Sequence, residues 1–424
     1  MKKVLIITYY WPPSGGSGVQ RWLKYVKYLK GFGVEPIVLT VDPLDAVYPN
    51  IDPSLKKDVP KDIEIHFSRA KSPLNLYKKI RKKPIPKSGF AGESKPNILD
   101  TVFRFIRGNF YIPDARKGWN KSAYRVAKEI IIKNNIDTII TSSPPHSTQL
   151  LGLKLKQDMK VKWICDLRDP WTDLFYNKDL HQTFIAKRID KKHEKNCLES
   201  ANELIVVSKT ISNQLVKSYN EIASKMNILP NGYDPDDFKQ VKEITTDNKY
   251  ISYIGSLGEI YPVEKFIKAF KKLCLNEPDW KLRFVGNISE STKNMIKKNE
   301  LESSVEFSSY RPHHEAIEFM LSSDILLLII PKLEENKGIL TGKIFEYIAS
   351  GTPIILIGPP DGDAAVILSE FKNVKIVDYS EDIDLSQITK EIISQESDST
   401  VKIKYSRVEQ TKKIASIIKG NNLD

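Results

Sequence analysis

Short runs that are apolar at almost every position recur along the chain in two series. The first comprises KVLIITYY, PIVLTVD, IEIHFSR, DTIITSS, KWICDLRD and ELIVVS. After Asn231 come YISYIGS, KLRFVGN, VEFSSY, ILLLII, PIILIG and VKIVDY. A strand that alternates apolar with polar residues is covered on one face only. A continuously apolar run is covered on both, which is the situation of a parallel strand between two layers of helix. Helical periodicity fills the gaps, as where Val19, Trp22, Leu23, Val26 and Leu29 recur before Gly33 closes the helix. Strands alternating with helices predict an α/β fold, and two series predict two doubly wound domains.

The break between them is expected in LPNGYDPDDFKQVKEITTDNKY, which has Asn-Gly and Asp-Pro turn signals and dense charge. The expected division is 1–235, then 236–405, with 406–424 a helix packing back on the first domain. The 424 residues suffice for two or three domains. A formal charge of +12 suits anionic partners. Much of that charge is concentrated in an expected insertion at about 71–97, where LYKKIRKKPIPKSGF has six Lys or Arg and no acid. Scattered lysines are ordinary solvated surface. A cluster beside the apolar and aromatic ILDTVFRFIRGNFYIPD would instead suit an anionic membrane face.

Cys165, Cys197 and Cys274 are far apart, with no metal-binding or disulfide spacing, as expected in a reducing compartment. The opening MKKVLIITYYWPPSGG reads as a buried strand and turn rather than a signal peptide. No apolar stretch reaches the roughly 18 to 20 residues that a membrane span needs. The expected location is cytoplasmic, peripheral on the inner face of the cell membrane.

The most informative stretch is TGKIFEYIASGTPIIL, residues 341–356. Thr341 is a candidate N-cap and Gly351 a candidate C-cap, which puts Lys343 and Glu346 on one face of the first two turns. A helix N-terminus carries free N–H groups and positive partial charge, so it can hold a phosphate, and Lys343 would strengthen that hold. Glu346, a turn deeper, could accept both hydroxyls of a ribose. The alternative is a simple i,i+3 ion pair. GSLGEIYP and VGN follow the first two strands of the second series, at the carboxyl ends where open α/β sheets bind ligands.

PNGYD at 230–234, YIGSL at 253–257, FVGN at 284–287 and KIFEYIASGTPII at 343–355 resemble, in order and spacing, the family-4 glycosyltransferases. YYWPPSGGSGVQR, SSPPHS at 142–147 and DLRDPW at 166–171 look like the bacterial surface-polysaccharide branch. The resemblance covers nearly the whole chain. It implies the GT-B fold, two Rossmann-like domains facing across a cleft, and a retaining, metal-independent transfer. It also implies that Glu346 holds the donor ribose and Lys343 the diphosphate. Gly15 and Gly16 would approach the phosphate and acceptor, and Gly255, Ser256 and Gly286 would line the donor site. His146, Arg168 and Asp169 are implied catalytic or sugar-contacting residues; Arg168 and Asp169 could instead pair with each other.

Two departures from the family pattern stand out. Gly338 occupies the place of a frequent first glutamate, and Ser256 that of a frequent arginine, while the lysine that accompanies it has no clear counterpart around Glu264 and Lys265. Lys343 substitutes for that set, with Arg311 a candidate second charge. The implied partners are a nucleotide-diphosphate-sugar donor, a glycan or lipid-linked acceptor and an anionic membrane surface, with no nucleic acid, metal or cofactor. No Asp-x-Asp stands at a strand end; DPDD at 234–237 lies in the linker. Three alternatives remain at this point. A nucleotide-sugar epimerase shares the fold. A dinucleotide oxidoreductase would use GGSG, but its third glycine falls at Arg21. A non-catalytic binder of nucleic acid or membrane would fit the charge alone.

Overall fold

The computed structural model describes residues 1–70, 98–173, 180–239 and 248–421. The basic stretch 71–97 falls outside them. The chain divides into two compact units, Met1–Pro230 with Val408–Asp424, and Asn231–Arg407.

The first unit is built on seven strands: β1 (Lys2–Ile7), β2 (Val34–Val41), β3 (Glu64–Ser68), β4 (Thr138–Ser143), β5 (Lys162–Leu167), β6 (Glu203–Val206) and β7 (Met226–Ile228). They lie in the order β3-β2-β1-β4-β5-β6-β7, and every pairing is parallel. Successive residues of β1 supply opposite cores: Leu5 and Ile7 join one cluster with Ile139 and Trp163, while Val4 and Ile6 join another with Ile140 and Ile164. Continuous hydrophobicity is therefore used on both faces, each buried aliphatic side chain contributing about 1.5–3 kcal/mol. The helix Arg407–Lys419 adds Ile414, Ala415, Ile417 and Ile418 to the second of these clusters. Lys162 Nζ on β5 donates to its Ile417 carbonyl at 2.8 Å.

The second unit has six strands: β8 (Lys249–Ile254), β9 (Trp280–Val285), β10 (Val305–Ser308), β11 (Ile325–Ile329), β12 (Ile354–Ile357) and β13 (Val374–Val377). Their order is β10-β9-β8-β11-β12-β13, again parallel throughout. Where the chain enters and leaves this unit, the two segments are tied together. Tyr233 N–H donates to Tyr405 O at 3.2 Å and Arg407 N–H to Tyr233 O at 2.7 Å. Gly232 permits the approach, since a Cβ there would stand 2.4 Å from the Tyr405 carbonyl oxygen.

Each sheet reverses its strand order once, at β1/β4 and at β8/β11. Connections on either side of such a reversal leave the sheet in opposite directions and open a crevice beyond the carboxyl ends of the two strands. β7 was not anticipated. It is three residues long, at a sheet edge and only partly covered, so it shows no apolar run. Among the described residues no helix is long and apolar enough to cross a membrane.

Candidate active site

In the second unit the reversal lies between β8 and β11. Gly255 directly follows β8, Gly286 directly follows β9, and the connection after β11 leads to the helix Lys343–Ser350. Both glycines have φ of 130°, a backbone that L side chains rarely adopt. A Cβ on Gly286 would stand 2.4 Å from the Gly255 carbonyl oxygen, so the two turns lie against each other. Lys343 rests on top: a Cβ on Gly255 would come within 2.7 Å of its Nζ. That ammonium donates to Tyr253 OH at 3.0 Å and lies 4.1 Å from the ring centre. Burial pulls the Lys343 pKa down to about 8, with Glu346 pulling the other way. A desolvated cation over glycine turns at strand ends is well suited to meet an anion, because any negative group arriving there restores its favoured charge state.

Lys343 and Glu346 do not form the simple ion pair. Lys343 goes to Tyr253, and Glu346 Oε1 lies 2.9 Å from His313 Nε2. His313 Nδ1 is in turn 4.0 Å from Asp237 Oδ2. A half-buried carboxylate is thus held by an imidazole with a second carboxylate behind it, which fixes its orientation. Tyr347 secures the same helix to the sheet by accepting the Ile254 N–H at 3.0 Å. Gly351 closes it in the left-handed region, φ 74°, whereas the expected N-cap is displaced. Gly342 occupies that position without a side-chain bond, and the buried Thr341 Oγ1 has no hydrogen-bond partner. The first-turn N–H groups are therefore not closed off by a side-chain cap.

The other donor-site candidates are dispersed. Ser256 is exposed, and its carbonyl accepts from Tyr253 OH. Arg311 is exposed beyond β10, bonded to Ser308 Oγ at 2.8 Å and Glu315 at 3.4 Å. Lys265 donates to the Ser380 and Glu381 carbonyls, and Glu264 pairs with Lys268. Gly338 lies in the connection after β11. A cavity of about 400 Å³ at the same end of the sheet is lined by Tyr261, Lys265, Met295, Lys332 and Tyr379 among others, and includes neither Lys343 nor Glu346. Among the described residues no group of three or more His, Cys, Asp or Glu could hold a metal ion.

In the first unit the reversal lies between β1 and β4. Gly16 begins the helix Ser17–Leu29 at φ 105°, with open space where its Cβ would be. Gly15 packs instead against the segment that follows β2: its N–H donates to the Asn50 carbonyl at 3.1 Å, and a Cβ there would stand 2.9 Å from the Asp52 Cβ. Arg168, just past β5, donates to the Ser143 carbonyl at 3.0 Å and the Pro144 carbonyl at 2.9 Å rather than pairing with Asp169, which is exposed. Its guanidinium fills the space above Gly18, where a Cβ would fall 1.7 Å from Nη1. His146 is 7% exposed and neither ring nitrogen has a hydrogen-bond partner. It stacks on Trp171, centroids 5.1 Å apart, and Trp171 Nε1 donates to the buried Asp190 at 2.8 Å. Burial lowers the His146 pKa to about 4, Arg168 adding to the effect and Asp114 opposing it. Its imidazole is neutral at pH 7. Asp114 also caps the helix Ser147–Met159, accepting Ser147 N–H at 2.8 Å and Oγ–H at 2.9 Å.

Two family models meet on this chain. Residues 74–237 match Glycosyltransferase Family 4, and residues 234–410 match Glycosyl transferases group 1. The chain is a GT-B glycosyltransferase of the family-4 type. An O-antigen chain mannosyltransferase of Salmonella typhimurium is 24% identical over 288 residues, 67% of this chain and 72% of that protein. A putative teichuronic acid biosynthesis glycosyltransferase of Bacillus subtilis is 21% identical over 249 residues, 56% of this chain and 60% of that one. The fold is similar to that of Anabaena HepE, solved with UDP and glucose: TM-score 0.60 at 15% identity, spanning 99% of this chain and 100% of HepE.

Membership of this glycosyltransferase family removes the oxidoreductase and the non-catalytic binder as readings of the chain. Three contributors in this glycosyltransferase were not singled out from its sequence. His313 reaches Glu346 from a distant segment with Asp237 behind it, and Gly18 makes room for Arg168. The only signal for His313 was its place just beyond a strand's carboxyl end.

Proposed function

We propose that the second unit binds a nucleoside-diphosphate sugar and that the enzyme transfers the sugar, with retention of anomeric configuration, to a hydroxyl of a glycan or lipid-linked acceptor. The relatives named above for O-antigen and teichuronic acid synthesis support bacterial surface polysaccharide as the setting; this reading puts the enzyme on the inner face of the membrane. The observation that carries the reading is the placement of Lys343 and Glu346. They stand on successive turns of one helix, beside the reversal of a parallel sheet, with separate partners that leave each oriented for a ligand. Lys343 and the uncapped helix start take the diphosphate, and Glu346, steadied by His313, accepts the ribose hydroxyls.

As the bond between sugar and phosphate breaks, negative charge grows on the diphosphate, and fixed positive groups aimed there lower the barrier. The acceptor oxygen bonds to the anomeric carbon on the face the diphosphate leaves, and its proton passes to the departing phosphate oxygen. Lys343 supplies this stabilisation without a divalent cation, so transfer is expected to persist in excess chelator. His146, with Arg168 and Asp169, is assigned to the transferring sugar. A neutral imidazole can exchange hydrogen bonds with hydroxyls without adding charge.

Thermal-shift measurements with UDP, GDP, ADP, CMP and dTDP test the donor assignment. A ligand at about 100 times its dissociation constant stabilises the protein by about 2.7 kcal/mol. Glu346→Ala is expected to abolish the shift, and a full shift in that variant refutes the ribose assignment.

A further inference from the structure

Two acids that the proposed transfer does not use stand behind His146. Asp190 and Glu194 lie four residues apart on the helix Phe184–Ser200, hence on one face, and are 4% and 2% exposed. Both are bonded to the loop that follows β5. Trp171 Nε1–H donates to Asp190 Oδ1 at 2.8 Å, and Gln182 bonds to the same carboxylate. Glu194 Oε1 accepts the Thr172 N–H at 3.2 Å, while its Oε2 accepts the Thr172 hydroxyl at 2.7 Å and the Tyr219 hydroxyl at 2.9 Å. Trp171 then lies under His146, with the two ring planes only 14° apart.

As a mere fastening this arrangement is costly. Burial pushes both carboxyls above their usual range, Asp190 to about 6, and the Glu194 charge adds to the effect on Asp190. Two apolar side chains at these positions would hold helix against loop without burying like charges. What the carboxylates supply is direction. An indole whose N–H is bonded to a fixed oxygen cannot rotate, and a residue held by both its N–H and its hydroxyl cannot slide. His146 needs such a reference, because neither of its own ring nitrogens has a hydrogen-bond partner. The indole face sets its plane. We propose that Asp190 and Glu194 are positioning residues for His146, fixing Trp171 and the backbone that carries it so that the imidazole keeps one plane toward the transferring sugar. This extends the site one layer behind the residues assigned above and rests on the assignment of His146 to that sugar.

NMR spectra of the full chain labelled with carbon-13 at histidine Cε1 test it. Of the six histidines, the His146 line is the one missing from His146→Phe, and the indole ring current displaces it upfield. Asp190→Leu and Glu194→Leu, which cut separate ties, should each lose that displacement. Asp190→Asn should keep it, since an amide oxygen still accepts from the indole. The melting temperature of Asp190→Leu should change little, because relief from burying a charge offsets the loss of the indole's acceptor. Positioning is overturned if both leucine variants keep the parental line, or if Asp190→Asn loses it as Asp190→Leu does. It is overturned equally if the leucine variants melt early with the line in place, the mark of a purely structural tie. The underlying assignment is tested separately by adding UDP-glucose, GDP-mannose, ADP-glucose and dTDP-glucose to the parent. One of them should move the His146 line where its nucleoside diphosphate does not; a line that none of them moves overturns the sugar contact and not the positioning.

Discussion

Raising the pH from about 7 to about 9 should weaken nucleoside-diphosphate binding about tenfold, with Lys343 setting the slope. Burial lowers the pKa of this ammonium to about 8. At pH 7 roughly nine in ten molecules of free enzyme carry the charge, and at pH 9 roughly one in ten. If the bound diphosphate requires the charged form, the apparent dissociation constant scales with the reciprocal of that fraction. The tenfold change corresponds to about 1.4 kcal/mol. Nucleotide diphosphates, whose last pKa is about 6, are already about nine-tenths ionised at pH 7 and gain charge above it, so their own titration cannot weaken binding as pH rises. Titration calorimetry with the tightest of the five nucleotides gives the profile. Lys343→Arg should flatten it, because a guanidinium stays charged, and Lys343→Met should bind weakly and without slope. The stability linkage has the opposite sign. With the folded pKa below the unfolded one, the unfolded chain binds more protons between about pH 8 and 10.5, so this group makes folding more favourable as pH rises there. Loss of affinity cannot then be blamed on Lys343 unfolding the protein. A flat profile to pH 9, or the parental slope in Lys343→Met, refutes the diphosphate role.

His146 should make the protein acid-sensitive. Its folded pKa of about 4 lies below the usual value, so stability is lost as pH falls from about 6.5 toward 4, by about 3 kcal/mol in all. His146→Phe keeps the stack on Trp171 and should remove that loss, read as urea midpoints at neutral and acid pH; Asp190, raised by burial to about 6, acts in the opposite direction in both proteins. Gly286→Ala must both hold φ at 130° and displace the Gly255 carbonyl, so a loss of about 3 kcal/mol is expected in urea unfolding. Gly258→Ala meets no atom within 4 Å and should change stability by less than about 0.5 kcal/mol in the same assay.

Strand positions were legible because continuous apolar character is a local property that only a doubly covered strand can use. β7 escaped because an edge strand of three residues needs little hydrophobicity. Lys343 and Glu346 were legible because three residues along a helix always share a face, and Gly351 because it sits where the helix must end. The actual cap was not, since Thr341 looks like an N-cap in sequence but lies one residue too early.

The chain by itself determined two parallel α/β sheets, the family, and the single helix that carries the paired charge. Tertiary structure alone decided what each charge meets. His313 reaches Glu346 across 33 positions, and Arg168 reaches the carbonyls of Ser143 and Pro144 after crossing to a neighbouring strand end. It also decided that Ile98–Phe110 turns its apolar stripe outward and buries Arg104. Periodicity reports that a helix has two faces. Which of them meets protein depends on the neighbours that long-range packing brings, and these have no imprint on the segment itself.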